Sequence, residues 1–205
     1  MQREIEFLFD FASPNVYFAY RALPPIVARA NARLTITPVL LGGIFKATNN
    51  RSPFEAFTPI KGKFEYELLE IQRFVKKHGL SRYRLNPHFP VNSLMLMRAF
   101  VAAREAGVGE TFLEMGLKGM WEDGLNLADP AVLVQAIDAA GMDGKALAAA
   151  AQTEPVKKKL ADNTGAAVAR GVFGLPTFFV GDEMFFGKER LGQVEEALAA
   201  TNAAG

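Results

Sequence analysis

Over residues 4–11 the apolar side chains fall at every second position. Ile5, Phe7, Phe9 and Phe11 share one face and Leu8 adds an apolar residue to the other. That pattern predicts a strand buried on both faces. A helix is predicted after Ser13. Pro24-Pro25 must kink or end it, because proline brings no amide donor and disfavours helical backbone in the residue before it. Two helical pieces are therefore expected between 14 and 30. Residues 34–41 predict a second strand, with Leu34, Ile36 and Leu40 on one face and Val39 and Leu41 on the other. A helical crossover between the two strands makes them a parallel pair with right-handed connection.

From 42 to about 165 the period changes from two to the helical one. Phe64, Leu68, Ile71 and Val75 line one face of a helix that stops at Gly79, and residues 92–106 and 109–122 fill two more. Asp129-Pro130 begins a helix with Leu133, Ala136, Ile137 and Ala140 on one face, stopped by Gly141. Thr153-Glu154-Pro155 begins another, whose Val156, Leu160, Ala167 and Val168 face inward and whose last turn ends near Gly171. Alternation then returns. Residues 177–180 and 183–186 flank Gly181-Asp182, a two-residue turn suited to an antiparallel hairpin, and a last helix carries Leu191, Val194 and Leu198. The order is β-α-β, a helical insertion, then α-β-β-α. This is the α/β class, a thioredoxin-like sheet split by an all-helical insertion. No repeat or linker separates the parts, so one unit is expected, with a discontinuous thioredoxin-like domain at 1–42 and 166–205 and the insertion at 43–165.

Composition narrows the function. A chain of 205 residues, 50% hydrophobic and 22% charged, is long enough to bury roughly 70% of its unfolded surface and is not of the disordered kind. With 23 Lys and Arg against 22 Asp and Glu, the net charge is +1. No global attraction to nucleic acid or anionic membranes follows, and a small-molecule partner is expected. The run Lys157, Lys158, Lys159 reads as a solvated helix face. The opening MQREIEF lacks a signal-type apolar stretch, so a cytoplasmic address is expected. There are no cysteines, which excludes disulfides, thiolate metal sites and protein-borne dithiol chemistry. Nucleotide-binding glycine motifs do not occur. His78 and His88 have no spacing partners, and neither a metal site nor a histidine base is expected.

Ser13-Pro14 reads most simply as a helix N-cap followed by proline at the first helical position. The same place, where a strand gives way to a helix, suits a catalytic hydroxyl. Leu175-Pro176 stands directly before a strand, where proline is tolerated only at an edge, at a start or with special geometry. Spacing alone leaves both readings of Ser13 open.

Four stretches carry a resemblance: "FDFASP", "LGGIFKATNN", "MWEDGLNLADP" and "VFGLPTFFVGDEMFFGKERL", the last being the most specific. Together they resemble the glutathione-dependent 2-hydroxychromene-2-carboxylate isomerase family, relatives of kappa-class glutathione transferases and of disulfide-forming oxidoreductases with a helical insertion. The resemblance runs over nearly the whole chain. It implies that Ser13 stands where redox relatives carry cysteine and hydrogen-bonds the sulfur of bound glutathione, the cofactor. It implies a cis Leu175-Pro176 bond, with the Leu175 backbone pairing with glutathione like an added strand. Asn50 matches a residue near the glycyl end of glutathione, with Lys46 or Lys61 as candidate carboxylate partners.

The implied reaction interconverts 2-hydroxychromene-2-carboxylate and trans-o-hydroxybenzylidenepyruvate, a small aromatic 2-oxo acid, in naphthalene-type aromatic breakdown. Reversible thiolate addition would make the conjugated double bond single and let it rotate. A free thiol has a pKa near 8.5, and lowering it by about two units takes ~2.7 kcal/mol of preferential thiolate stabilisation. The Ser13 hydroxyl and the start of its helix are the groups placed to supply that. The resemblance also implies a homodimer. Two other functions share these residues: a kappa-like transferase that conjugates glutathione to an electrophile, and a non-catalytic binding module. The helical block is expected to form an aromatic pocket wall, with Phe45, Phe89 and Trp121 as candidates, although an aromatic at helical spacing usually packs inside, and the core is the alternative place for each.

Three places depart from the family pattern. Where it has Gly, a small polar residue, Asp and Arg, this chain has Gly187-Lys188-Glu189-Arg190, making Lys188 and Glu189 the candidates for the γ-glutamyl end. Asn49 replaces a glycine, a mild change because asparagine tolerates left-handed backbone. Asn15 replaces the usual aromatic after Ser-Pro and makes the entrance more polar.

Overall fold

The computed structural model describes residues 3–200. Strand β1 (Glu4–Phe9) lies inside the sheet, with Ile5, Phe7, Leu8 and Phe9 all buried and Phe7 stacked on Phe178 at 4.9 Å. It stops two residues before the predicted end because Asp10 turns the chain, its Oδ1 accepting from the Ala12 N–H at 2.9 Å. Phe11 still reaches the core, edge-on to Phe9 and Phe100 at 4.8 and 5.4 Å. Helices α1 (Pro14–Ala22) and α2 (Pro24–Ala30) are the two expected pieces. Strand β2 (Arg33–Pro38) runs parallel to β1, with Leu8 beside Thr37. It ends earlier than the alternation predicts. Leu40 and Leu41 instead open α3 (Leu41–Thr48), whose first N–H is taken by Asp10 Oδ2 at 2.7 Å.

The helical block continues with α4 (Pro53–Phe57), α5 (Lys63–Lys77), α6 (Leu94–Glu105), α7 (Gly109–Trp121), α8 (Pro130–Ala139), α9 (Gly144–Ala150) and α10 (Glu154–Ala169). Helices α3, α4 and α9, of 8, 5 and 7 residues, were not expected, since so few turns give the period little to act on. The apolar face of α5 is only partly covered. None of its residues is fully buried and Leu68 is 41% exposed. Its later half meets the core through Phe74 against Phe18 at 5.8 Å, and its first turn meets α4 through Phe64 edge-on to Phe54 at 5.1 Å.

The expected domain limits at 42/43 and 165/166 fall inside α3 and α10. Residues 1–2 and 201–205 of the expected sheet domain lie outside the described residues. Helix α10 is tied to the sheet directly, Asn163 Nδ2 donating to the Pro38 carbonyl at 3.0 Å and the Leu40 N–H to Thr164 Oγ1 at 2.9 Å.

Strands β3 (Thr177–Val180) and β4 (Glu183–Phe186) complete a four-stranded sheet of order β2-β1-β3-β4, β3 antiparallel to both neighbours. Gly181 supplies the positive φ of 59° that their tight turn needs. A short 3-10 turn (Lys188–Arg190) leads into α11 (Leu191–Ala200), which buries Leu191, Val194 and Leu198.

The contact between α7 and the β1–α1 loop is close enough to require a particular residue. A Cβ on Gly116 would stand 2.4 Å from Phe11 Cε1. Gly116→Ala is expected to overpack this joint and destabilise the protein by about 1–3 kcal/mol. A lower urea midpoint at unchanged slope is the result to look for; an unmoved midpoint would mean Phe11 has room to yield.

Candidate active site

Ser13 follows the carboxyl end of β1, the edge of an α/β sheet where ligands usually sit. The residue is only 6% exposed. Its Oγ accepts from the Val16 N–H at 3.3 Å, and its own N–H reaches the Asp10 carbonyl at 3.4 Å. Capping uses a lone pair, so the hydroxyl hydrogen remains to be donated. Pro14, which has no N–H, occupies the first helical position, and the positive end of the α1 dipole points toward the same place. An anion is favoured there.

The partner segment arrives through the sheet. The β1–β3 register pairs Glu6 with Phe179, Phe7 with Phe178 and Leu8 with Thr177. Continued backwards along β3, it sets Leu175 beside Asp10, at the entry to the Ser13 loop. The Leu175–Pro176 peptide is cis. The Pro176 carbonyl accepts from the Gly187 N–H at 2.9 Å, and the Gly174 carbonyl from the Thr177 hydroxyl at 2.7 Å. Between them, the Leu175 N–H and C=O have no partner among the described residues.

Asn50 joins this loop from the far end of α3. Asn49, at φ 54°, ends the helix in the left-handed conformation, and Asn50 Nδ2 then donates to the Phe173 carbonyl at 2.8 Å. The structure thus gathers Ser13, Leu175-Pro176 and Asn50 around one loop. Lys46 is exposed in the last turn of α3, at the same end as Asn50, whereas Lys61 is exposed in the turn before α5, with no described contact to the Ser13 loop.

Phe45 and Phe89 are half-buried. Trp121 is not a pocket wall: it is fully buried, donates Nε1–H to the Phe11 carbonyl at 3.0 Å, and stacks on Tyr83 at 6.3 Å. A ring with no exposed edge packs the core and lines nothing. Lys188 also differs from a solvent-facing lysine. Its side chain is 4% exposed, its ammonium is held by the Glu189 carboxylate, and it lies 5.6 Å from the Phe74 ring centre. Lys188 and Glu189 therefore satisfy each other in this structure.

Sequence reasoning missed Asp10 and Ser93. Asp10 is fully buried and accepts from the Ala12 and Leu41 N–H groups, and Ser93 is the third group that acts on its carboxyl. Burial raises its carboxyl pKa above the ordinary value, and Ala12, Leu41 and Ser93 offset that rise only in part. The available signal was an acid inside the apolar run "FLFDF", since a buried carboxylate must find donors. Asn15 Oδ1, two residues after Ser13, is buried without a partner. The other end of α1 is fixed by Glu122, which accepts from the Tyr17 hydroxyl at 3.1 Å and pairs with Arg21 at 3.3 Å and Arg82 at 2.9 Å. Among the described residues no group of three or more His, Cys, Asp or Glu could hold a metal ion, and no helix is long and apolar enough to cross a membrane.

A family model described as a DSBA-like thioredoxin domain matches residues 4–199. The 2-hydroxychromene-2-carboxylate isomerase of Pseudomonas putida is 26% identical over 198 residues, covering 95% of this chain and 93% of the relative. The glutathione S-transferase kappa 1 of Rattus norvegicus is 28% identical over 202 residues, covering 92% and 88%. A solved 2-hydroxychromene-2-carboxylate isomerase structure superposes with a TM-score of 0.77 at 26% identity, covering 98% of both chains.

Proposed function

This chain belongs to the DSBA-like thioredoxin domain family, and from that premise we propose that it is a glutathione-dependent isomerase of the 2-hydroxychromene-2-carboxylate type. The carrying observation is Ser13: a buried hydroxyl with a spare hydrogen, at the positive end of α1, beside a backbone segment whose polar groups are unused. The redox chemistry of other thioredoxin folds needs a cysteine, and this chain has none.

The residues fit a bound tripeptide thiol. The Leu175 N–H and C=O are a donor and an acceptor waiting for an extended backbone, Asn15 Oδ1 is a buried acceptor without a donor, and Asn50 presents its amide from the facing helix end. Glutathione, when bound, supplies the thiolate whose reversible addition lets the conjugated double bond of the aromatic 2-oxo acid rotate. Ser13 donates its hydroxyl hydrogen to the sulfur and, with the first turn of α1, favours its ionised form. Leu175 holds the peptide in register. Asn50 orients its far end, with Lys46 as the nearer of the two candidate carboxylate partners. Lys188 and Glu189 are proposed for the γ-glutamyl end, which requires their ion pair to open.

The kinship with a kappa-class transferase favours a second reading, permanent conjugation of glutathione to an electrophile. One mixture of protein, glutathione and hydroxybenzylidenepyruvate separates them. Catalytic loss of the enone absorbance with all glutathione recovered is expected; a stoichiometric adduct marks a transferase. Absence of glutathione binding in calorimetry at millimolar concentration would leave only a binding module of another kind. We also propose a cytoplasmic homodimer acting in aromatic catabolism. Exposed Phe54, Ile60, Leu68 and Leu69 on and between α4 and α5 form an apolar surface for a second copy to cover.

A further inference from the structure

We propose that Asp10 is a positioning residue of this site, holding the Ser13 loop and the start of α3 in the relation that lets Ser13 and Asn50 meet one ligand. The proposal rests on reading those two residues as glutathione contacts. Asp10 draws on three elements at once. Oδ1 accepts from the Ala12 N–H at 2.9 Å, one residue before Ser13, and Oδ2 from the Leu41 N–H at 2.7 Å, the first amide of α3. The Ser93 side chain, which lowers the Asp10 pKa, stands at the N-cap of α6 and makes no side-chain capping bond to its own helix. The Asp10 main chain contributes as well, its carbonyl accepting from the Ser13 N–H at 3.4 Å.

A fully buried carboxylate with no cation beside it is costly unless donors surround it. Here the donors are the orphan first amide of α3 and the turn that delivers Ser13, and the positive helix ends of α3 and α6 face the charge. Because Asn50 leaves the other end of α3, a shift at Leu41 is carried along the helix to the Asn50–Phe173 bond. An apolar residue at position 10 would fill the space and leave Ala12 and Leu41 without acceptors. Asparagine is the informative substitution. Its single oxygen can serve Ala12 or Leu41 but not both, and its amide donor faces a donor at the other.

Glutathione is titrated calorimetrically into the wild type, Asp10→Asn, Asn50→Ala and the double variant, each checked for folding by circular dichroism. Asp10→Asn is expected to raise Kd roughly tenfold, as loss of a hydrogen bond to a charged group implies. Asn50→Ala should then add little in that background, because Asn50 is already displaced. An unchanged Kd, or losses that simply add, overturns the proposal and leaves Asp10 a support for stability alone. If Asp10→Asn does not fold, Ser93→Ala keeps the carboxylate and removes the hydroxyl that acts on it; about a threefold loss with the same non-additivity is expected, and its absence counts equally against the proposal. A wild type that binds no glutathione removes the cofactor reading instead. Positioning by Asp10 is then decided by hydrogen exchange without ligand. Faster exchange at Ala12, Leu41 and the Asn50 side-chain amide supports it, and unchanged exchange overturns it.

Discussion

Ser13→Ala is expected to lower turnover at saturating glutathione by about 10²–10³-fold, the usual loss when one donor to a reacting anion is removed. The same change deletes the N-cap of α1 and should cost about 0.5–2 kcal/mol of stability. The two effects can be pulled apart because capping uses the oxygen as acceptor, from Val16 N–H, while catalysis uses the hydrogen. Ser13→Gly removes the hydroxyl with a capping loss of only a few tenths of a kcal/mol. Equal turnover losses in the Ala and Gly variants, despite unequal stabilities, assign the effect to the hydroxyl. The pH dependence provides a second check. With one stabilising group gone, the bound thiol should ionise at higher pH, moving the acidic limb of the rate profile upward by about one to two units. Unchanged turnover in Ser13→Ala would sink the catalytic role.

The parts of the fold that were legible in the sequence are those governed by local chemistry. Alternation marked β1, the Gly181-Asp182 turn marked the hairpin, and caps such as Asp129, which accepts from the Ala131 and Val132 N–H groups, marked helix starts. What covers a face was not legible. The apolar stripe of α5 is real, but period says only which face is apolar, and no element among the described residues buries Leu68. The site divides in the same way. Ser13 and Leu175-Pro176 announce themselves through proline and capping chemistry. The Asn50–Phe173 bond depends on the path of α3, and the two donors to Asp10 come from segments that meet only in the folded state. Lys188 illustrates the limit well: its charge suggested solvent or a ligand carboxylate, whereas the turn carrying it packs the ammonium between Glu189 and Phe74.

Trp121 was a candidate for the pocket wall or for the core and lies in the core, and the two placements predict opposite experiments. As a core residue it fills space among Tyr83, Phe89 and the start of the Ser13 loop, and it satisfies the Phe11 carbonyl. Trp121→Ala should therefore cost about 3–5 kcal/mol, a large share of the roughly 5–15 kcal/mol that holds a domain together. Trp121→Phe keeps much of the volume but leaves the Phe11 carbonyl unpaired in the interior, a cost of about 1–3 kcal/mol. Urea unfolding should rank wild type above Phe above Ala. Since Phe11 is two residues from Ser13, the folded Ala variant should also lose kcat more than affinity for the aromatic substrate. A pocket-wall tryptophan would do the reverse: KM for the substrate would rise while the urea midpoint stayed in place. That pattern would return Trp121 to the binding surface, and the buried hydrogen bond to Phe11 is the physical reason to expect the other result.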